Sequence, residues 1–414
     1  MFSPKPLKPE DVFTPRAANV NTEMYVTRPD LEHDLREALR GDKHIIVHGE
    51  SGCGKSWLQQ KVLVDERALV LTANLSNAVR LKSIAAELQR HIDASGGAVN
   101  SGYRETKSAM PQGVGLAHER EYAIPRADPF DATVKNLRAR AGTNRAVIVF
   151  ENLEQALDSP EILRELTTLI VLLDDPGYSR YDVRFLIVGT PTNIAEYLSK
   201  AGNAATLSNR LREIPEVSPL TTVQAHDLAR RGLIEKLRLH AEDEQLALTH
   251  IAWVTECIPQ HIHEYCLHVA TLAVAKDRII TLADLEIADS LWAKESLIAE
   301  SAIITHHLNS RETAAGRRSQ TIYALGCCKD AEFRYTDIEQ IVRREFAAST
   351  AGKQLDISGM LSQLSSGDKP IIKRTPKGDA YRMTSPKHRM WIRAKLRKSA
   401  NGNTVEVSQA DRPG

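Results

Sequence analysis

Three observations predict an α/β domain built on parallel strands, followed by a helical bundle and a small helix-and-hairpin domain. The first is "HIIVHGESGCGKSWL", His44 to Leu58, where an apolar strand runs through a glycine-rich loop into a helix. The second is a pair of downstream runs, "RAVIVFENLEQ" and "VRFLIVGTPTN". Both are continuously apolar before they turn polar, as strands covered on both faces must be. The third is that strand signals stop after Leu220 and helical periodicity takes over.

The elements follow in order. The first 21 residues are Pro-rich and read as an arm. "YVTRPDLEHDLREALRGDK" gives a short extended entry and an amphipathic helix on Leu31, Leu35 and Leu39. A strand over Ile45–Val47 enters the loop, and Lys55–Val64 is the helix after it. "ALVLTANL" is a second strand and "AVRLKSIAAELQRHI" a helix. Residues 92–132 are rich in Gly, Ser, Ala and Pro without sustained periodicity and read as an insertion or mobile loop. The two apolar strands come next, separated by a helix over about 160–174, and "REIPEV" is a short fifth strand. The core is therefore placed at 22–218.

Helices at about 221–239, 243–255, 259–276 and 282–296 suit an all-α lid, 219–297. From 298 to 398, helices at about 299–309 and 313–327 precede the N-cap pair Thr336-Asp337. A helix over Asp356–Leu364, a hairpin "PIIKRTPKGDAYRMT" and a basic last helix then complete a winged-helix order. Residues 399–414 read as a flexible tail.

With 414 residues, 42% hydrophobic and 26% charged, the chain has room for two or three cores. Net charge is +1, so the molecule as a whole is no polycation. Between Lys369 and Lys398, however, eleven Lys/Arg face one acid, Asp379, which suits either an anionic partner or a solvated basic face. No run approaches a membrane span, and "MFSPKPLKPEDVF" lacks the apolar core of a secretory signal. Five cysteines, two of them adjacent, make no disulfide framework. A cytoplasmic location is expected.

Gly49-Glu50-Ser51-Gly52-Cys53-Gly54-Lys55-Ser56 fits the phosphate-loop pattern G-x-x-x-x-G-K-[ST]. The glycines let backbone N–H groups face phosphate oxygens, Lys55 neutralises the β and γ phosphates, and the Ser56 hydroxyl ligates Mg²⁺. Trp57 continues the helix, whose positive end adds to the site. Cys53 sits near Lys55 at a helix start, a setting that lowers a thiol pKa, or it is simply a small residue that fits. "VIVFENLE" supplies the acids. Glu151 takes the Mg²⁺ position and Asn152 the position where a water-activating acid stands in many such ATPases. Asn orients water but accepts no proton, so either Glu151 or Glu154 acts as base, or hydrolysis is slow. Thr190, with Thr192 or Asn193 behind it, is the candidate polar group near the γ-phosphate, or alternatively a helix N-cap. Arg210 and Arg212 precede the fifth strand. Arg210 is a candidate arginine finger for a neighbouring subunit, or a surface ion pair.

In this order "YVTRPDLEHDL", the phosphate loop, "VIVFENLE", "FLIVGT" and "NRLREIPEV" resemble the motifs of an AAA+/STAND ATPase, with the lid and winged helix of origin-recognition-type and related bacterial members. The resemblance spans roughly residues 22–396. It implies a P-loop NTPase fold with a five-stranded parallel sheet, ATP and Mg²⁺ as ligands, ATP held between sheet and lid, and homo-oligomers bridged by ATP. Relatives of this kind occur in mobile-element regulation and phage defence. The expected function is an ATP-binding, slowly hydrolysing switch that assembles with ATP and engages DNA or a protein partner. Two alternatives are a winged-helix DNA-binding regulator with structural nucleotide, and a scaffold docking a partner enzyme.

The family often places a lid arginine near the γ-phosphate after a Gly-x-Pro-like turn. Here "ECIPQHIHEY" carries Pro259, Gln260 and His261 instead, with His261 as the weak substitute. Cys257, His261, His263, Cys266 and His268 suggest zinc, but their helical spacing argues against it. In the C-terminal domain the recognition helix would show Ser358, Gln363 and Ser365. Lys373, Arg374, Lys377, Arg382, Lys387, Arg389 and Arg393 are the candidate phosphate contacts, with Lys395 and Arg397 beside them.

Overall fold

The computed structural model describes residues 7–17, 19–94, 128–190, 207–308 and 316–408. The chain forms two compact units. One is Thr27–Ser218, and the other joins Met1–Val26 to Pro219–Gly414.

The first unit carries five strands: β1 His44–His48, β2 Leu69–Asn74, β3 Ala146–Glu151, β4 Val183–Gly189 and β5 Leu211–Glu213. All pair in parallel, in the order β2-β3-β4-β1-β5. This is the five-stranded parallel sheet expected. Parallel neighbours need helical crossovers, and the helices Pro129–Ala141 and Pro160–Leu172 supply Phe130, Leu137, Leu166 and Ile170 to a core with Ile46, Ile148, Phe150, Phe185 and Ile187. Even the polar first residue of β1 is buried. The His44 ring stacks on Phe185 at 4.9 Å, and its Nδ1 accepts the Phe185 N–H at 3.1 Å. Burial pushes this imidazole down to about 4, so it stays neutral.

Register decides where the site forms. His48 pairs with Gly189, Asn74 with Glu151 and Phe150 with Ile187. The carboxyl ends of β1 to β4 therefore lie at one edge, where ligands of open α/β sheets bind. Of the insertion expected over 92–132, residues 95–127 lie outside the described residues. Its far end is not loop: Asp128 caps the helix Pro129–Ala141 by accepting the Phe130 N–H at 3.1 Å.

In the second unit the lid helices are Thr222–Arg230 (continued by a π-helical turn, Arg231–Lys236), Glu244–Val254, Pro259–Val274 and Leu282–Ser296. The lid is not wholly α, because His240–Ala241 and Ile279–Ile280 form a short parallel pair. The expected arm is packed rather than free over its described part. Phe13 and Met24 are buried, and the Phe13 ring lies so close to Gly232 that a Cβ there would meet it at 2.3 Å. Arm and lid are further joined by the Thr14 N–H, which donates to His263 Nδ1 at 3.1 Å.

The C-terminal part has the winged-helix order. Helix Arg317–Cys327, strand Glu332–Phe333, helices Tyr335–Glu345 and Ile357–Leu364, and strands Ile372–Arg374 and Tyr381–Met383 follow one another. The three strands form one antiparallel sheet with Tyr381–Met383 in the middle. The last helix, Pro386–Lys395, runs on into a hairpin of Leu396–Lys398 with Val405–Val407. The expected tail is thus ordered through 408.

Candidate nucleotide site

The loop between β1 and the helix Lys55–Asp65 is built by its glycines. Gly49 has φ +149°, and a Cβ there would stand 2.4 Å from the Val217 carbonyl oxygen. No other residue fits without moving the chain after β5. Gly54, at φ +91°, turns the backbone into the helix. Glu50, Ser51 and Ser56 are exposed, Gly52 and Trp57 half-buried, and Cys53 buried. The Lys55 ammonium donates to the carbonyls of Gly49 at 2.8 Å and Glu50 at 2.9 Å, which holds it across the loop's concavity. Burial lowers its pKa, while the neighbouring charges of Glu154, Glu50 and Glu216 act the other way.

The reactive-thiol reading of Cys53 is corrected here. Burial outweighs the nearby Lys55 and Arg28 charges and pushes the thiol up to about 11. The residue is a small apolar filler. Sequence reasoning also passed over Arg28, which lies in the recognised "YVTRPDLEHDL" stretch without a role assigned. Its guanidinium donates to the carbonyl oxygens of Cys53 and Ser218, both at 2.8 Å. It therefore fastens the phosphate loop to the chain leaving β5.

At the end of β3, Glu151 accepts a hydrogen bond from Gln59 Nε2 at 2.9 Å, so the phosphate-loop helix itself orients the acid. Burial raises the Glu151 pKa. A cation offsets that cost, so the donor set of Ser56 hydroxyl and Glu151 carboxylate fits Mg²⁺. Asn152 follows in the left-handed region, φ +62° and ψ +45°, which asparagine tolerates better than most residues. Its Nδ2 donates to Asn74 Oδ1 at 3.1 Å, and the same oxygen accepts the Ser76 N–H at 2.8 Å. Thr190, directly after β4, donates its N–H to Glu154 Oε2 at 3.3 Å. Thr192 and Asn193 lie outside the described residues.

Arg210 stands at the other end of the sheet. Its carbonyl accepts the His44 N–H at 2.8 Å, and its guanidinium pairs with Asp174. Arg212 is exposed on β5. Of the two readings of Arg210, the structure shows the ion pair.

The candidate lid contact is corrected. Pro259 opens the helix Pro259–Val274 after two residues with positive φ, Glu256 and Cys257. That helix turns His261 inward, where its Nδ1 meets Glu264 Oε2 at 2.9 Å under the Trp292 ring. Burial raises the Glu264 carboxyl, but hydrogen bonds from His261, Gln260 and Trp292 outweigh it and hold the group at about 2. His261 is thus tied up inside the bundle and does not present a surface cation. Among the described residues no group of three His, Cys, Asp or Glu side chains could hold a metal ion.

Two of the seven candidate phosphate contacts are corrected as well. Arg389 and Arg393 are buried. Arg393 pairs with Glu256 and donates to the carbonyls of Gly326 at 2.7 Å, Cys328 at 3.2 Å and Trp253. Arg389 reaches Glu256 Oε2 at 3.2 Å and the Asp330 carbonyl at 2.9 Å. Their neighbours Lys395 and Arg397 bond Ser290 at 2.9 Å and Asp289 at 2.7 Å. This face of the last helix joins the winged helix to the lid. Lys387 is half-buried, and the wing residues Lys373, Arg374, Lys377 and Arg382 are exposed.

A parallel sheet ordered β2-β3-β4-β1-β5, with a phosphate loop after β1, an acid ending β3 and a polar residue after the interposed β4, defines a P-loop NTPase. Residues 37–198 match the family model described as "AAA domain". No curated protein matches the chain. Among solved structures, the ORC2 protein of Aeropyrum pernix, in ADPNP and ADP complexes, aligns over 92% of this chain and 96% of its own at 13% identity and TM-score 0.50. The Walker-type ATPase PABY2304 of Pyrococcus abyssi aligns over 91% and 99% at 11% identity, also with TM-score 0.50. Those two share the fold, and the AAA+ resemblance drawn from the motifs is borne out. No helix among the described residues is long and apolar enough to cross a membrane.

Proposed function

We propose that this protein binds Mg²⁺-ATP at the loop Gly49–Ser56, hydrolyses it slowly, and uses the nucleotide state to assemble and to engage DNA or a protein partner. The observation carrying this reading is Asn152 beside Glu151. The acid that suits Mg²⁺ is kept and oriented by Gln59, while the next position holds a side chain that cannot take a proton from water. Nucleotide binding and fast turnover are thereby separated, which suits a switch better than a motor. The ORC2 fold relative was solved with ADPNP and ADP, which supports the choice of an adenine nucleotide.

Self-assembly is supported by the place of Arg210, away from its own phosphate loop and before β5. ATP shifts the oligomeric equilibrium only through contacts made better in the assembled state, and an arginine reaching a neighbour's γ-phosphate is such a contact. DNA engagement is supported by the exposed wing cations Lys373, Arg374, Lys377 and Arg382. Such contacts bind the backbone without sequence preference and weaken as salt rises.

Mass measurement of the purified protein with ATP, with ADP and without nucleotide, each with and without duplex DNA, tests this reading. A larger species specific to ATP is expected, lost in Arg210→Ala. DNA binding is expected to fall on charge reversal of the four wing residues and not to depend on Arg389. A constant monomer under every condition contradicts the assembly reading, and unchanged DNA affinity in the wing variant contradicts the DNA reading.

A further inference from the structure

If Asn152 cannot accept a proton, the site needs another base for whatever turnover it has. Glu151 is engaged by Gln59 and stands where the cation belongs. Asn152 directs its amide N–H to Asn74. We propose that Glu154 accepts the proton of the attacking water; the inference rests on the nucleotide reading above.

The placement follows from the backbone. Asn152 in the left-handed region turns the chain sharply off the sheet, and Glu154 then falls in the first turn of the short helix Leu153–Ala156. Its side chain returns to the sheet edge, where Oε2 accepts the Thr190 N–H at 3.3 Å. Thr190 follows Gly189, the partner of His48, and His48 precedes the first glycine of the loop. The carboxylate is thus fixed beside the rim of the phosphate loop by a backbone donor of the strand that carries the γ-phosphate candidate. The negative charge of Glu154 also acts on Lys55, which places it within electrostatic reach of the phosphate lysine. Glu154 is half-buried, and the Thr190 N–H engages only one of its two carboxylate oxygens, Oε2.

In the step, a water O–H bond breaks and its proton passes to Glu154. The water oxygen forms a bond to the γ-phosphorus. The bond from the γ-phosphorus to the bridging oxygen breaks, and its electron pair stays on the β-phosphate of ADP. Glu154 then returns the proton to solvent or phosphate, and no other reactant is needed.

Glu154→Gln tests this, because Gln still accepts the Thr190 N–H but is no base. Nucleotide affinity, thermal unfolding and the pH–rate profile are read alongside turnover, in the native background and in Asn152→Glu. The expected result is ATP affinity and unfolding temperature like the parent's, with turnover lower by about 100-fold or more. The acidic limb of the pH–rate profile disappears. In the Asn152→Glu background the same change has little effect, since position 152 then supplies the base. Parent-like turnover in Glu154→Gln overturns the assignment. So does an equal loss in both backgrounds, which marks a positioning role, and so does a parent that binds ATP without hydrolysing it. Absence of ATP binding by the parent instead removes the nucleotide reading beneath it.

Discussion

Replacing Arg393 with alanine is expected to destabilise the lid and winged-helix unit by roughly 3–5 kcal/mol, the range for removing one partner of a buried ion pair. The Arg393 side chain is 5% exposed and that of Glu256 18%. Loss of the guanidinium leaves Glu256 with Arg389 alone and strips a donor from three carbonyls, those of Gly326, Cys328 and Trp253. The cation over the Trp253 ring, 4.9 Å from its centroid, goes with it. For a unit of this size the fall in unfolding temperature is about 10 °C, read by calorimetry on the full chain. Arg393→Lys keeps the charge without the planar fork and falls between. The double variant Glu256→Gln with Arg393→Met recovers part of the loss, because the uncompensated charge is gone. An Arg393→Ala protein as stable as the parent means that the last helix is a surface element after all.

Lys55→Ala has the largest expected effect on binding. The ammonium is the main charge aimed across the loop, and its hydrogen bonds to the Gly49 and Glu50 carbonyls hold it there at 2.8 and 2.9 Å. Loss of a charge-assisted contact to phosphate of about 3 kcal/mol weakens ATP binding by about 100-fold. The increment that Mg²⁺-ATP adds to the parent's unfolding temperature is expected to disappear in Lys55→Ala. Retained ATP affinity in Lys55→Ala places the nucleotide elsewhere in the chain.

The strands and the loop were legible in the sequence because their signals are local. "HIIVHGESGCGKS" carries its own strand, turn and helix, and "VIVFE" and "FLIVG" carry the apolar continuity of strands buried on both faces. That the five strands form one parallel sheet was legible only through the resemblance, since pairing is non-local. The errors have one physical cause. A cluster of arginines reads as a solvated or anion-binding surface unless its buried partners are visible. Arg389 and Arg393 find Glu256 more than a hundred residues away, at the end of a lid helix. The spacing of Arg389 and Arg393, four residues apart on one helix, was the available hint of a shared partner. His261 was misread for a similar reason: the helix phase that turns it toward Glu264 depends on the bundle around Trp292. Arg28 was missed because its ligands are backbone carbonyls, which have no sequence signature. Of the two readings of Cys53, the small residue that fits stands, because burial outweighs the proximity to Lys55.

The central claim is that this site binds ATP and is kept slow by Asn152. Single-turnover hydrolysis of bound Mg²⁺-ATP, compared between the parent and Asn152→Glu, tests it most directly. The account expects the parent to bind ATP and hydrolyse it far below the roughly 10 per second typical of enzymes. Asn152→Glu is expected to run about 100-fold faster, because a carboxylate at position 152 takes over from the less direct base Glu154. A parent that already turns over at an ordinary enzymatic rate, or a variant no faster than the parent, contradicts it.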